Sequence, residues 1–166
     1  ALCRWLKRLN RPAFLRIGYE FNGNWNGYEP QTYVAAWRRI VAALRKHELD
    51  EVATVWCATP GSRKNYMDYY PGDEFVDWWG IDIFGRDHLS DPITHDLVAK
   101  ARERKFPVMI GESTPRGVGV LEGQKSWDKW FVPYFDFMHR NPHIKAFCYI
   151  SWDWSKYEMW KDWGDA

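Results

Sequence analysis

The sequence lacks the features that mark several large classes of protein. Of its 166 residues, 23 are basic and 22 are acidic, so the formal net charge is only +1. Proteins that bind nucleic acid or an anionic membrane usually have a clear basic excess. No apolar run reaches the length that crosses a bilayer, and no signal peptide is visible. We therefore expect an uncharged partner, with no nucleic acid and no membrane involved.

Cysteine is also scarce, with Cys3, Cys57 and Cys148 as its three occurrences. An odd number without a Cys-x-x-Cys spacing indicates neither a disulfide framework nor a zinc site. Cys57 and Cys148 lie in strand-like apolar runs, so we expect both to be buried free thiols. His88 and His95 lack the spacing of a helical metal pair, and we interpret them as part of a polar loop and a helix start. We expect no metal and no cofactor.

Tryptophan, in contrast, is abundant: the chain has 12 Trp, 9 Tyr and 9 Phe. Exposed aromatic rings stack on the apolar faces of pyranose rings, while Asn, Asp and Arg hydrogen-bond sugar hydroxyls. We expect about half of the tryptophans in the core. The others stand beside Gly, Asn or Asp in loop-like contexts and indicate a sugar-binding surface: Trp25, Trp152, Trp154, Trp160 and Trp163.

Apolar runs alternate with helical patterns along the chain. Because the runs are continuously apolar, they predict a parallel sheet covered by helices, which is an α/β fold. Thr94 is expected to cap the third helix, and Pro133 to kink the fourth helix or delay its start. The predicted strands are 13–19, 52–56, 75–83, 106–111 and 144–151, and the predicted helices are 1–10, 31–47, 94–105 and 126–140.

A closed barrel and an open doubly wound sheet both fit this alternation. No glycine-rich phosphate loop follows the first strand, which disfavours a nucleotide-binding open sheet. A (β/α)8 TIM barrel has about 250 residues, or roughly 31 per unit, so this chain holds about five units. We therefore predict that residues 1–166 are one partial catalytic domain, a fragment from the later part of such a barrel.

Two carboxylates, Glu20 and Glu112, each follow an apolar strand and precede a polar loop. Because parallel strands of a barrel end on one rim, we expect the two side chains to meet there, within about 6 Å. Glycoside hydrolysis needs such a pair, one protonated to donate to the leaving oxygen and one ionised to attack or activate water. A lone strand-end glutamate is more often a solvated charge, but two in matching settings favour catalysis.

Four segments resemble glycoside hydrolase family 26, a β-mannanase-like family in a clan of retaining (β/α)8 glycosidases. The resemblance extends from Ala13 to about Trp163 and numbers the strands 4 to 8. The segments are Arg16–Trp25 for the acid/base, Tyr70–Asp82 leading into strand 6, Ile110–Glu112 for the nucleophile and Ser151–Asp153 at the end of strand 8.

The resemblance implies that Glu20 is the general acid and then the general base, and that Glu112 is the nucleophile. Arg16 would lie behind both and keep Glu112 ionised, although a buried ion-pair role is equally open. Asn22 and Asp82 would bond hydroxyls or orient their neighbours. The implied substrate-binding set is Arg16, Tyr19, Asn22, Trp25, Trp56, Asp82, Phe84 and Trp152, with Trp152 as platform and Trp56 as either a subsite or a core residue.

Two residues depart from the family pattern. Tyr19 stands where the family usually has His, and Phe84 stands where it usually has a Tyr that bonds the nucleophile. Phe84 has no hydroxyl to do so. These changes affect substrate identity more than reaction class, and they make a non-mannan substrate or weak activity plausible.

The leading hypothesis is a retaining endo-β-glycanase that hydrolyses β-1,4-mannan or a related β-linked polysaccharide or oligosaccharide. We expect it to be monomeric, and to be secreted because a polysaccharide that cannot enter a cell must be cut outside it. A non-catalytic carbohydrate-binding barrel or inactive fragment is one alternative. Another is a retaining glycosidase of a different family in the clan that acts on xylan or β-glucan.

Overall fold

A computed structural model, which describes residues 1–165, contains a sheet of five strands. Neighbouring strands are parallel and are ordered along the sheet as they are along the chain. The prediction of a parallel sheet is confirmed, although the first and last strands are shorter than expected. The strands are β1 (Ala13–Arg16), β2 (Val52–Ala58), β3 (Trp78–Ile83), β4 (Val108–Ser113) and β5 (Ile144–Phe147).

One α-helix precedes β1, and others connect β1 to β2, β3 to β4 and β4 to β5, whereas β2 and β3 are joined by 3-10 helices alone. The α-helices are α1 (Leu2–Leu9), α2 (Pro30–Lys46), α3 (Pro92–Glu103), α4 (Gln124–Ser126) and α5 (Val132–Arg140), with a π-helical turn at Trp127–Phe131 between the last two. Short 3-10 helices occupy Tyr66–Tyr69, Asp73–Phe75, Arg86–Ser90, Trp154–Lys156 and Lys161–Trp163. In the described part of the chain, no helix combines the length and apolar character needed to cross a membrane.

The start of α3 differs from the prediction. The Asp91 side chain, not that of Thr94, accepts a hydrogen bond from the backbone N–H of Ile93, at 2.8 Å. Thr94 is buried one turn further on. Asp91 precedes Pro92, and a proline in the first helical turn loses no hydrogen bond there. Pro133 lies in the first turn of α5, but the residues before it are already helical from Gln124, so the expected late start is wrong. The helix instead has a π-helical turn, Trp127–Phe131, just before the proline.

The sheet buries its two faces differently. Because successive strand residues point to opposite faces, Trp56 and Trp79 pack on the helix side, where Trp37 lies in the same aromatic core. Phe21 covers this core from the loop after β1, with its ring 4.6 Å from that of Trp56. Cys57 lies on the opposite face with Met109 and other strand residues. The helix side is therefore the main core of the described chain.

The edges of the sheet are β1 and β5. Phe14 of β1 and Phe147 of β5 are both exposed at these edges. Cys57 in the centre is buried as predicted, but the prediction is wrong for Cys148. Cys148 is exposed because it follows directly after the edge strand β5, which has a neighbour on one side.

The core position of Trp56 gives a stability test. Truncating a fully buried tryptophan costs about 3–5 kcal/mol, so Trp56→Ala should lower the free energy of unfolding by that amount. Urea denaturation followed by circular dichroism measures it. Trp5→Ala is the matched control, because Trp5 is 53% exposed on α1 and its loss should cost about 1 kcal/mol or less. Equal losses for the two variants would contradict this assignment of core and surface.

Candidate active site

The loops at the carboxyl ends of the strands enclose a cleft of about 740 Å³. Loops after all five strands, together with the end of β4, contribute to its wall. Glu20 and Glu112 both line it, so the structure brings the two sequence-predicted carboxylates into one cleft. The lining residues are Tyr19, Glu20, Trp25, Thr59, Pro60, Phe84, His88, Glu112, Arg116, Trp154, Met159, Trp160 and Trp163.

Glu20 lies in the loop after β1 with a left-handed backbone, at φ 48°. For a residue other than glycine this conformation costs about 1–2 kcal/mol. Two backbone hydrogen bonds hold it: its N–H donates to the Cys57 carbonyl at 2.8 Å, and its carbonyl accepts from the N–H of Gly23 at 2.7 Å. The loop thereby fixes where the Glu20 carboxyl enters the cleft.

The surroundings of the Glu20 carboxyl favour a bound proton. Burial raises the pKa of Glu20, while hydrogen bonds from Thr59 and Trp25 act in the opposite direction and the charge of Glu112 adds to the increase. The indole Nε1–H of Trp25 donates to Glu20 Oε2 at 2.9 Å. A raised pKa suits a general acid, and the indole stabilises the carboxylate that remains after the proton leaves.

Glu112, near the end of β4, is paired with a cation instead. Arg16, at the end of β1, donates from Nη1 to Glu112 Oε1 at 2.8 Å and from Nη2 to Asp82 Oδ2 at 2.9 Å. Nη1 also donates to the Gly111 carbonyl at 3.0 Å. The planar guanidinium holds two carboxylates in fixed positions. Glu112 keeps 30% of its side chain exposed, towards the cleft.

Asp82 lies behind this pair and is fully buried. The Cys57 thiol donates to Asp82 Oδ1 at 3.2 Å. Burial pushes the pKa of Asp82 upward, while the adjacent Arg16 acts against this increase and favours the ionised carboxylate. A Cβ at Gly111 would lie 2.8 Å from both Asp82 Oδ1 and Cys57 Sγ, so a glycine is needed for the cluster to close. Asp82 therefore orients Arg16 and has no surface with which to meet a sugar.

Other sequence-predicted residues have distinct positions. Asn22 is buried and joins the loops after β1 and β2, since it donates to the Thr59 carbonyl at 2.8 Å and accepts from the Thr59 N–H at 2.9 Å. Of the two roles expected for Asn22, bonding sugar hydroxyls or orienting its neighbours, these contacts correspond to the second. Tyr19 lines the cleft with its ring 5.3 Å from the Arg16 guanidinium, and Phe84 lines it 5.5 Å from the ring of Trp163.

Two tryptophans differ from the expectation. Trp56 has no exposed surface and its indole donates to the Tyr69 carbonyl, so the prediction of a sugar contact is wrong for Trp56. It points to the helix side because its neighbour Cys57 points inward. Trp152 is exposed and packs on Tyr157 at 5.9 Å, outside the residues that line the cleft. Its role as sugar platform stays a prediction.

Three tryptophans that the sequence analysis assigns to a sugar-binding surface, Trp154, Trp160 and Trp163, do line the cleft. Sequence reasoning missed two other lining residues: it interprets His88 as a polar loop residue and does not single out Arg116. The available signal was position: His88 and Arg116 follow β3 and β4, where barrels place functional side chains. Within residues 1–165, no three His, Cys, Asp or Glu side chains are grouped so that they could hold a metal ion.

Solved structures establish the fold class. A family 26 β-mannanase from Bacteroides ovatus superposes with a TM-score of 0.68 at 18% identity, over 89% of this chain and 48% of that one. A modular endo-β-1,4-mannanase from Cellulomonas fimi gives 0.68 at 21% identity, over 92% and 41%. At this identity the likeness shows the fold, so the predicted partial (β/α)8 barrel is confirmed.

Sequence comparison gives the family. Residues 1–157 match the profile described as glycosyl hydrolase family 26. A β-1,3-xylanase from an Alcaligenes species is 29% identical over 99% of this chain, and a β-1,3-xylanase from a Vibrio species gives the same values. The chain belongs to glycosyl hydrolase family 26, as the resemblance in the sequence indicated. It spans 41% and 42% of the length of these two relatives.

The Arg16 bridge yields a second prediction. Arg16→Met leaves the buried Asp82 without its cation, which typically costs about 3–5 kcal/mol of folding free energy. The double variant with Asp82→Asn should recover part of that loss, because the uncompensated charge is gone. Arg104→Met is the control: its pair with Asp73, at 2.7 Å, is exposed and worth about 1 kcal/mol or less. Equal costs for Arg16→Met and Arg104→Met in urea denaturation would contradict a structural role for the bridge.

Proposed function

We propose that the protein is a retaining endo-β-glycanase. The observation that supports this is the contrast between two glutamates in one aromatic cleft. Glu20 is buried, bonded by an indole and has a raised pKa, whereas Glu112 is partly exposed and paired with Arg16. Glycoside hydrolysis by a pair of carboxyl groups requires this asymmetry, with one carboxyl protonated and the other ionised at the same pH. The retaining course is the one that the family resemblance in the sequence implies.

In the proposed mechanism each group has a role in two steps. In the first, Glu112 attacks the anomeric carbon while Glu20 gives its proton to the glycosidic oxygen, so the leaving chain departs and a glycosyl-enzyme ester forms. In the second step, the oxygen of a water molecule attacks the same carbon while the Glu20 carboxylate takes a proton from that water. The bond between the carbon and Glu112 breaks, which releases Glu112 as a carboxylate. Arg16 balances the charge of Glu112 before the attack and after the release, and Trp25 stabilises the Glu20 carboxylate between the two steps.

The relatives suggest which glycan to test first. Two relatives that match 99% of the chain are named β-1,3-xylanases, at 29% identity, whereas the similar mannanase structures are 17–21% identical. Tyr19 and Phe84, both in the cleft, already depart from the usual family pattern. We therefore favour β-1,3-xylan, with β-1,4-mannan as the second candidate. Either polymer would be cut outside the cell.

The decisive experiment measures reducing-sugar release by the protein at its full natural length. β-1,3-xylan, β-1,4-mannan and mixed-linked β-glucan are compared for the wild type, Glu112→Ala and the control Glu103→Gln, whose side chain is exposed on α3. We expect Glu112→Ala to lower kcat by about 10⁴-fold or more, as loss of a nucleophile does, and the control to keep full activity. Equal rates for wild type and Glu112→Ala on every glycan would refute the enzyme hypothesis and favour the non-catalytic sugar-binding alternative.

Product stereochemistry tests the retaining mechanism separately. Proton NMR of the first turnover should show new reducing ends in the β configuration, because two displacements restore the original anomer. Initial release of the α anomer would contradict a covalent intermediate at Glu112 while leaving hydrolysis itself intact.

The Trp25–Glu20 hydrogen bond predicts a pH effect. Activity should fall at high pH as Glu20 loses the proton it must donate. The indole favours the ionised form, so Trp25→Phe should raise the pKa of Glu20 further and move the basic limb of kcat/KM to higher pH. A shift of about one unit is expected, since a hydrogen bond to a charged group is worth about 1.5–3 kcal/mol and one unit is about 1.4 kcal/mol.

Trp160→Phe is the matched control for this shift, because Trp160 lines the same cleft but is not bonded to Glu20. Its pH profile should keep the wild-type basic limb even if its kcat/KM falls. If the basic limb of Trp25→Phe stays in place or moves to lower pH, the indole of Trp25 does not lower the pKa of Glu20.

A further inference from the structure

Arg116 and His88 form a second polar group in the cleft that the two-glutamate chemistry does not use. His88 belongs to the 3-10 helix after β3, and Arg116 lies in the loop after β4. Arg116 Nη2 and His88 Nε2 are 3.3 Å apart, and both residues line the cleft. Since both atoms are nitrogens, the nature of the contact depends on which of them carries hydrogen.

The tautomer of His88 follows from its backbone contact. The N–H of Phe84 points at His88 Nδ1 at 3.2 Å, so Nδ1 is an acceptor and carries no proton. In a neutral imidazole the proton is then on Nε2. Burial and the neighbouring Arg116 lower the pKa of His88, which agrees with a neutral ring. His88 therefore presents an N–H donor to the cleft.

Arg116 is a donor only, because a guanidinium has no acceptor atom. The 3.3 Å contact with His88 thus joins two donors and is not a hydrogen bond between them. An acceptor that reaches both nitrogens would satisfy them together. A carboxylate does this best, since it offers two oxygens and a negative charge, and bonds from a charged donor to a charged acceptor are about twice as strong as neutral ones.

The charge of Arg116 is only weakly balanced by protein. Asp87 Oδ1 lies 3.5 Å from Nη2, but that carboxylate is 76% exposed, so the pair is screened by water. On the other side, the Trp163 ring centroid lies 5.4 Å from the guanidinium carbon. An aromatic wall lowers the local dielectric and strengthens the attraction of the cation for an anion that enters the cleft.

The position of this cation is fixed by the local backbone. The N–H of Arg116 donates to the carbonyls of Phe84 and Thr114, at 3.0 and 2.9 Å. Gly85 also leaves necessary space, because a Cβ there would lie 2.8 Å from Arg116 Nη2 and 2.2 Å from Asp87 Oδ1. The two donors are therefore held in place before any ligand binds.

We propose that Arg116 and His88 form a subsite for the carboxylate of an acidic sugar, a uronic acid unit or substituent of the β-glycan. The inference rests on the proposed function, because it takes the cleft to be the glycan-binding surface. It adds a preference for charged over neutral glycans that neither glutamate supplies.

The test compares one oligosaccharide that bears a uronic acid with the same molecule after its carboxyl has been reduced to the neutral sugar. For the wild type we expect kcat/KM to be about 10-fold or more higher on the acidic form, in line with a charge-assisted hydrogen bond. Raising the salt concentration should shrink this ratio, because exposed charges are screened. Arg116→Met should bring the ratio close to one, and His88→Phe should lower it in part, because the charge of Arg116 remains.

Two variants sharpen the result. Asp87→Asn removes the carboxylate that competes for Arg116, so it should increase the acidic-to-neutral ratio. Arg102→Met removes a positive charge from the exposed side of α3 and should leave the ratio unchanged. If Arg116→Met does not fold, the salt dependence of the wild type and the gain in Asp87→Asn still decide the question.

Calorimetric binding of both oligosaccharides separates this inference from the proposed function. Tighter binding of the acidic form, lost in Arg116→Met and reduced in His88→Phe, supports the subsite even if neither molecule is cut. Hydrolysis with an acidic-to-neutral ratio near one overturns the subsite and leaves the glycanase assignment standing. Equal affinity for the two molecules, or no binding of either, overturns the subsite as well.

Discussion

The ion bridge made by Arg16 is the interaction on which the site depends. A buried carboxylate such as Asp82 is costly without a cation and hydrogen bonds, and here Arg16 and the Cys57 thiol supply both. The same guanidinium also holds Glu112, so one side chain joins the ends of β1, β3 and β4. The stability of the rim and the position of the proposed nucleophile are therefore coupled, because a change that frees Arg16 from Asp82 also removes a fixed partner of Glu112.

The second glutamate is controlled by different means. Glu20 has no cation bonded to it in the way that Glu112 has; its carboxyl is buried and receives an indole N–H, and its backbone is held in a left-handed conformation by the loop. A buried carboxyl keeps its proton at higher pH, and the indole limits how far that preference extends. Two glutamates that are alike in sequence thus acquire different surroundings, one buried and bonded by an indole and the other paired with an arginine, which suit an acid and a nucleophile.

The sequence was sufficient to predict those features that depend only on where the strands lie and where they end. Apolar runs predicted the parallel sheet, and carboxylates at their ends located Glu20 and Glu112. It was insufficient where side-chain direction matters. In the continuously apolar β2, a shift of one residue exchanges the core and inner faces, so the burial of Trp56 could not be read from the pattern. His88 and Arg116 were missed for another reason: they come from separate loops, and their 3.3 Å contact exists only after β3 and β4 have paired.

The charges of the cleft explain how an acidic sugar could fix the position of cleavage. Among its lining residues, Arg116 is the only Lys or Arg, whereas Glu20 and Glu112 are both acidic. A uronic acid carboxylate is repelled by ionised Glu112 and attracted by Arg116, so it has one favourable place along the cleft. A polymer with a charged unit would then bind in a single register, and the bond presented to the two glutamates would lie at a fixed distance from that unit. A wholly neutral polymer has no such constraint, because its stacking on the aromatic walls is equivalent at every repeat.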